Sequence, residues 1–360
     1  MNESLLDKLL KRKSSGTLRS LQIPGDGIDF FSNDYIGLSQ VKISGHPPIS
    51  NGSTGSRLLS GNSKQAELCE YNLATHFKSE SALVYNSGYV ANLGLLSAIL
   101  QREDEVFYDE YIHASSRDGM RLSFSKSTAF KHNDVEDLRF KLEKSKAKIN
   151  YVLIESLYSM DGDIAPLSEI ANLCAINNAY LIVDEAHAGG VYGLQGKGLC
   201  FESNISPKVF ARIITFGKAY GAHGAVVLGS QTLKEFLINF SRGFIYSTAL
   251  PPTFYQDIAA LVTHKSIEES ILTLKKRIHY FRDRCSSLSF LSAETSPIQI
   301  LEFNNKELLE QRVEQLKSVG IHTKGIYPPT VPAGKSRLRL CLHSYNTEKE
   351  IDVLASVLLQ

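Results

Sequence analysis

Residues 180–190 read YLIVDEAHAGG. An apolar run, Tyr180 to Val183, stops on an acid, Asp184, and His187 follows three residues later. In open parallel sheets ligands sit beyond the carboxyl ends of the strands, so this stop marks both a strand and a candidate site. Similar short runs flank it at 82–85, 105–108 (EVFY), 151–155 (YVLIE), 212–216 (RIITF) and 225–229 (AVVLG). Segments of helix length separate several of them, notably 134–146 and 166–177. Strands alternating with helices predict an α/β domain, a mostly parallel sheet with helices on both faces. After Pro251 and Pro252 the pattern changes. Residues 253–288 read as one continuous helix, followed by strands near 298–303 and 337–342 with a helix at 305–318 between them. The expected division is an N-terminal helix-and-strand segment (1–45), a large α/β domain (46–252) and a smaller C-terminal α+β domain (253–360).

Composition excludes several classes. The chain has 360 residues, 43% of them apolar and 21% charged, with 39 basic against 38 acidic side chains and a net charge of +1. That length suits one large domain and a smaller one. With no broad field of one sign, neither nucleic acid nor a membrane is an expected partner. The cysteines, Cys69, Cys174, Cys200, Cys285 and Cys341, are scattered, odd in number and never in a CxxC pair. This argues against a disulfide framework and against a zinc site, and for a reducing compartment, the cytoplasm. Residues 1–13, MNESLLDKLLKRK, place Leu5, Leu6, Leu9 and Leu10 on one helical stripe and end, rather than begin, with basic residues. That is unlike a secretory signal and fits a short helix packed on the body or on a second subunit. Residues 81–100 carry no charge, but Asn86, Ser87, Gly88 and Asn92 would set a polar turn at mid-bilayer. They read as a strand, a turn and a buried helix.

Taken alone, Asp184 and His187 are a strand-end cap and an ordinary histidine as readily as a site. The letters DEAH also spell the Mg²⁺-site tetrad of a helicase family, a reading that needs an upstream phosphate loop. The one GKS, Gly334 to Ser336, lies far downstream and has Pro329 where such a loop needs glycine. Residues 212–230, RIITFGKAYGAHGAVVLGS, are more informative. Lys218 follows the strand among Ala219, Gly221, Ala222 and Gly224. Such a lysine either snorkels to the surface or is a desolvated amine, and desolvation favours the neutral form that Schiff-base chemistry uses. Coupled with an acid at an earlier strand end, it fits a pyridoxal 5'-phosphate (PLP) site, which needs a lysine and an acid beside the pyridinium nitrogen. In NSGYVANLG, 86–94, the turn Ser87-Gly88-Tyr89 joins a strand to a helix start, whose N–H groups and dipole suit a phosphate.

These stretches belong to a longer ordered set: SNDYIGLS (32–39), GSTGSRLLSGN (52–62), NSGYVAN (86–92), YDEYIHASSRDG (108–119), HND (132–134), ESLYSMDGDIAPL (155–167), VDEAHAGGVYG (183–193), TFGKAYG (215–221) and SRLRLCL (336–342). Over nearly its whole length the chain resembles the α-oxoamine synthase family of fold-type I PLP enzymes. The resemblance implies an aspartate-aminotransferase-like transferase fold, a PLP cofactor and a homodimer. It implies that Lys218 carries the cofactor and moves the α-proton, that Asp184 pairs with the pyridine nitrogen and that His187 bonds the phenolic oxygen. It gives His113 the place stacked on the ring, where the residues alone leave an ordinary core histidine equally open. Ser159 and Asn33 would line the site. Ser87, Gly88, Tyr89 and Thr215 would hold the phosphate, and Ser247 and Thr248 would reach that of the neighbouring subunit. Arg339 would grip the amino-acid carboxylate, a task for a planar bidentate donor. Arg337, two residues earlier, is expected on the opposite face of the strand, leaving one arginine for the site.

The implied reaction is a decarboxylating condensation of an amino acid with an acyl thioester. SNDYIGLS, IYSTALPP (245–252) and YPPTVPAGKSRLRL (327–340) look most like the branch that joins L-alanine to a pimeloyl thioester carried by coenzyme A or acyl carrier protein. A branch joining glycine to an acetyl thioester would share every residue named, and a PLP aminotransferase is a further rival. Two positions depart from the family pattern. Ala66 stands where a histidine is frequent, and Ala219-Tyr220-Gly221 replaces Gly-Phe-Gly after the lysine.

Overall fold

The apolar runs become the strands of one sheet. The computed structural model describes residues 3–15, 18, 26–43, 50–328, 331 and 334–360. The expected boundary at residues 45 and 46 lies outside the described residues, as do Met1, Asn2, Pro329, Thr330, Pro332 and Ala333. Ser81–Tyr85, Glu105–Asp109, Asn150–Glu155, Tyr180–Asp184, Val209–Thr215 and Ala225–Gly229 are strands, each within three residues of its expected bounds. A seventh, Lys126–Phe130, was not expected. It pairs on one side only, with Glu105–Asp109, and its sequence KSTAF is mostly exposed. An edge strand need not be apolar, so it leaves no hydrophobic run to read.

From edge to edge the strands run Ser81–Tyr85, Ala225–Gly229, Val209–Thr215, Tyr180–Asp184, Asn150–Glu155, Glu105–Asp109, Lys126–Phe130. The last five are mutually parallel, and Ala225–Gly229 is antiparallel to both its neighbours. Parallel sheets are covered on both faces, which is why the central strands are continuously apolar. Val152, Ile154, Ile182 and Val183 are fully buried; each such side chain contributes about 1.5–3 kcal/mol relative to exposure. The helices Ala114–Arg121, Val135–Glu143 and Leu167–Ile176 connect successive parallel strands. Asp134 starts the second, its carboxylate accepting the N–H groups of Glu136 and Asp137. The carboxyl ends of the parallel strands carry Asp109, Glu155, Asp184 and Thr215 on one edge. Lys218 reaches the same edge from the tight connection 216–224. There Phe216 N–H donates to Gly224 O at 2.9 Å and Ala222 N–H to Phe216 O at 2.8 Å. Gly221 closes this turn at φ +60°, against the backbone of Ser39, where no side chain fits.

The chain divides into two compact units, Asn33–Ser159 with Asp163–Lys275, and the described parts of Met1–Ser32 with Met160–Gly162 and Lys276–Gln360. The first holds the seven-stranded sheet. The second has an antiparallel sheet of Lys324–Ile326, Ser336–Cys341 and Ile298–Phe303, with the helices Lys306–Ser318 and Glu348–Leu358. Thr347 and Glu350 form a reciprocal capping box on the last helix. The continuous helix expected over 253–288 is instead two, Pro252–Val262 and Ile267–Arg284. Between them His264 Nδ1 bonds the Ser266 hydroxyl at 2.7 Å and accepts the Ser266 N–H at 3.3 Å. Such side-chain bonds compete with the helical ladder and restart it. Among the described residues no helix is long and apolar enough to cross a membrane, and no group of three or more His, Cys, Asp or Glu is placed to hold a metal.

The expected opposition of Arg337 and Arg339 fails, because residues two apart on a strand share a face. Both lie on Ser336–Cys341, opposite Glu302 and Ile300, and Arg339 Nη1 reaches Cys341 Sγ, two residues further, at 3.0 Å. Their partners separate them. Arg337 is buried, paired with Asp161 and donating to Met160 O at 3.1 Å. Removing one member of a buried pair leaves the other charge uncompensated. Arg337→Ala is therefore expected to cost about 3 kcal/mol of stability. Urea denaturation measures it, and a loss under about 1 kcal/mol would show that Asp161 finds another partner.

Candidate active site

Asp184 ends its strand buried, and its two oxygens are held separately. Oδ1 accepts the Ala186 N–H at 2.9 Å and Oδ2 accepts Asn92 Nδ2 at 2.7 Å. On the same edge Lys218 Nζ lies 2.8 Å from His187 Nε2. His187 Nδ1 lies 2.7 Å from Tyr35 Oη, which donates to Asn33 Oδ1 at 3.0 Å. With the phenol proton directed to Asn33, Tyr35 accepts from His187, so the imidazole turns its Nε2 lone pair toward the lysine. Lys218, His187, Asp184 and Asn33 are thus brought together, with Tyr35 as a member that the sequence reading left without a role.

His113 starts the helix Ala114–Arg121. Its Nδ1 lies 2.7 Å from Ser115 Oγ and accepts the Ser115 N–H at 3.2 Å, while its own N–H donates to Glu155 Oε1 at 2.6 Å. Burial lowers its pKa; Asp184 opposes this and Lys218 adds to it. Glu155 is the strand partner of Asp184. Burial, and then the charge of Asp184, push its carboxyl up to about 8.

The turn carrying His113 is anchored from beneath. Asp109, wholly buried, accepts the N–H groups of Tyr111 and Asn133, each at 2.8 Å. His132 lies between two acids, Nδ1 at 2.9 Å from Asp109 and Nε2 at 2.7 Å from Asp163, with its ring stacked on Tyr111. Burial disfavours its charge, but hydrogen bonds to Asp109 and Asp163 prevail and raise it to about 10.

Beside these groups begins the helix Gly88–Ile99, with Ser87 Oγ accepting the Val90 N–H at 3.2 Å. The N–H groups of Gly88 and Tyr89 belong to its first turn and have no acceptor within the helix. A Cβ on Gly88 would lie 2.5 Å from Thr215 Cγ2, so glycine is what lets the helix start close on Thr215. Thr215 Oγ1 donates to Ala186 O at 3.2 Å. Asn86 Nδ2 donates to Thr248 O at 2.6 Å, which brings the Ser247-Thr248 segment to the same strand end. Ser159 lies half-buried in the turn after the Asn150–Glu155 strand, and Tyr89 Oη donates to Asp118. Arg339 is a residue of the other unit.

The donor set fits PLP. It offers an amine beside an imidazole, an acid held by two donors, and a helix start whose first N–H groups, close on Thr215, suit a phosphate. Sequence reading gave no role to Tyr35, Asn92, Ser115, Glu155, Asp109, His132 or Asp163. Several lie inside quoted motifs, and Asn92 sits four residues after Gly88, hence on the same helix face.

The family model for aminotransferases of class I and II matches residues 26–358. The chain is 38% identical to the 8-amino-7-oxononanoate synthase of Emericella nidulans, over 98% of this chain and 94% of that one. Among solved structures, the 8-amino-7-oxononanoate synthase of Francisella tularensis is 30% identical with a TM-score of 0.77, over 92% of this chain and 96% of that one. A serine palmitoyltransferase of S. paucimobilis with a bound PLP–myriocin aldimine is 23% identical with a TM-score of 0.88, over 99% and 96% of the two chains, a likeness of fold.

The His132 clamp has a pH signature. Its folded pKa, about 10, lies above the ordinary 6.5, so its stabilisation is complete below about pH 6.5 and is lost as pH rises through about 10. His132→Gln should be less stable than the native chain at neutral pH and show a flatter fall between those limits. Melting curves across that range check this, and parallel profiles would remove His132 as the cause.

Proposed function

The chain belongs to the aminotransferase class I and II family, within its α-oxoamine synthase group of PLP-dependent acyltransferases, and on that footing we propose that it joins L-alanine to a pimeloyl thioester to give 8-amino-7-oxononanoate, a biotin precursor. The carrier thiol and CO2 are the other products, and the carrier is coenzyme A or acyl carrier protein. The observation that carries the chemistry is Lys218 Nζ at 2.8 Å from His187 Nε2, on the sheet edge where Asp184 ends its strand. The choice of substrates rests on the likeness to 8-amino-7-oxononanoate synthases.

When bound, PLP supplies the sink for the electron pair that the α-carbon keeps as its proton leaves. Lys218 is the amine that would hold the cofactor covalently, and its Nζ would serve as the base for the α-proton. Asp184 would hold the ring nitrogen, where a carboxylate favours the protonated form. His187, oriented by Tyr35, would bond the cofactor's phenolic oxygen, and His113 would pack against its ring. The N–H groups at Ser87, Gly88 and Tyr89, with Thr215, hold the phosphate. Asn33 and Ser159 line the amino-acid side, and Arg339 grips the substrate carboxylate as a bidentate donor. Ser247 and Thr248 serve the phosphate of the second subunit in a homodimer, which also covers Leu5, Leu6, Leu9 and Leu10, all about half exposed in the single chain.

A thiol-release assay crossing alanine, glycine and serine with acetyl, pimeloyl and palmitoyl thioesters tests the substrates. Alanine with pimeloyl thioester is expected to give the highest kcat/KM, and a glycine–acetyl optimum would overturn the choice. Borohydride reduction followed by peptide mapping is expected to find the pyridoxyl group on Lys218. Asp184→Asn keeps shape and loses charge, so turnover should fall at least about a hundredfold, about 2.7 kcal/mol on the barrier, with the fold retained. Native turnover in a folded Asp184→Asn protein would leave that acid as a strand-end cap.

A further inference from the structure

We propose that Asn92 and Ser115 are positioning residues that join Asp184 to His113 through hydrogen bonds of one fixed direction, holding His113 as the neutral imidazole with its proton on Nε2. The direction follows from donor chemistry. An ionised carboxylate only accepts. Asp184 Oδ2 lies 2.7 Å from the Asn92 amide, which must therefore present its NH2 there, since the flipped amide would oppose two oxygens. The same nitrogen lies 3.1 Å from Ser115 Oγ, so both its hydrogens are committed and the hydroxyl oxygen accepts. The hydroxyl proton then has one direction left, to His113 Nδ1 at 2.7 Å. The Ser115 backbone N–H, which can only donate, reaches the same nitrogen at 3.2 Å. A ring nitrogen approached by two donors carries no proton. Asn92, Ser115 and Asp184 are all buried, so water does not substitute for either bond of the Asn92 amide. Asn92 Oδ1 is buried without a partner, as expected of an amide kept for its donors.

The charged groups around His113 agree. Burial and Lys218 disfavour the imidazolium, Asp184 and Asp118 favour it, and the balance lowers the pKa. Glu155 meets His113 only through the backbone N–H. The bearing on catalysis rests on the function proposed above. A neutral His113 would add no positive charge beside a bound cofactor's ring nitrogen, and the Asn92 bond fixes the rotamer of Asp184, which would hold that nitrogen. The chain of bonds itself stands without the cofactor.

The test begins with the cofactor-free protein. Deuterium exchange at the histidine C2 position, followed by mass spectrometry across pH, reads the titration of His113 individually. In the native chain its midpoint is expected below that of an ordinary histidine. Ser115→Ala removes the hydroxyl donor and should raise the midpoint. In an Asn92→Ala background the same change should raise it less, because the hydroxyl is no longer oriented; a non-additive cycle is the mark of a connected chain. Should Asn92→Ala fail to fold, Asn92→Asp reads the same link, since a carboxylate there accepts the Ser115 proton, turns it from His113 and raises the midpoint. In the loaded enzyme Ser115→Ala should lower kcat about tenfold while KM for the amino acid stays within about twofold. A midpoint unmoved by Ser115→Ala, or strictly additive changes, would overturn the proposal. Borohydride mapping of Lys218 in the same variants tests the function separately; its failure would remove the PLP reading and leave the His113 result standing.

Discussion

Glu185, one residue past the candidate acid, is wholly buried and paired with Arg212, and the site hangs from that pair. Its Oε2 accepts the Arg212 Nε–H at 2.7 Å and lies 2.6 Å from Nη2 of the same guanidinium, and Oε1 accepts the Cys200 N–H at 2.9 Å. Arg212 also donates to Lys197 O at 2.6 Å and Phe77 O at 3.3 Å. Two charges taken from water cost several kcal/mol each, roughly, so the pair persists because every donor and acceptor is met. Because successive strand residues point to opposite faces, anchoring Glu185 on one side commits Asp184 to the other, toward Asn92. Glu185 N–H still donates to Ile213 O at 2.8 Å, so the strand keeps its pairing to the point where the chemistry begins.

Three acids end neighbouring strands at this edge, and three unpaired negative charges there would not be tolerated. The structure treats each differently. Asp109 has His132, whose pKa of about 10 keeps it cationic at neutral pH. Burial, and then the charge of Asp184 beside it, push the Glu155 carboxyl up, away from the ionised form. Asp184 keeps its acceptor role against the Asn92 amide and the Ala186 N–H, with Lys218 on the same edge.

How much of this the sequence disclosed follows from burial. The central strands are covered on both faces and so appear as unbroken apolar runs, and Asp184 was legible because it ends one of them. Lys126–Phe130 was not, since an edge strand spends its side chains on water. The break at 263–266 was hidden because His264 and Ser266 are tolerable helix residues until they bond each other. The two arginines were misplaced by an error of strand period, which the shared face of Arg337, Arg339 and Cys341 corrects. Asn92 and Ser115 are ordinary polar residues until their neighbours are known. A lysine or a strand-end acid signals by its charge alone, whereas an amide signals only through what it faces.

The two histidines of the edge show how partners outside the reacting positions set chemistry. His113 takes donors at Nδ1 from Ser115, which leaves its proton on Nε2. His187 gives its Nδ1 proton to Tyr35, whose own proton goes to Asn33, which leaves Nε2 as acceptor toward Lys218. The same side chain is thus held in opposite tautomers within one site. The consequence for Lys218 is directional. An N–H of the amine is drawn to His187, which aims its remaining valences away from the imidazole. A tautomer switch at His187 would put an N–H 2.8 Å from Lys218 Nζ, opposing the ammonium form of the lysine and reversing the bond to the neutral amine. Tyr35, fully buried and donating to Asn33, thereby sets which nitrogen of His187 is turned toward the lysine.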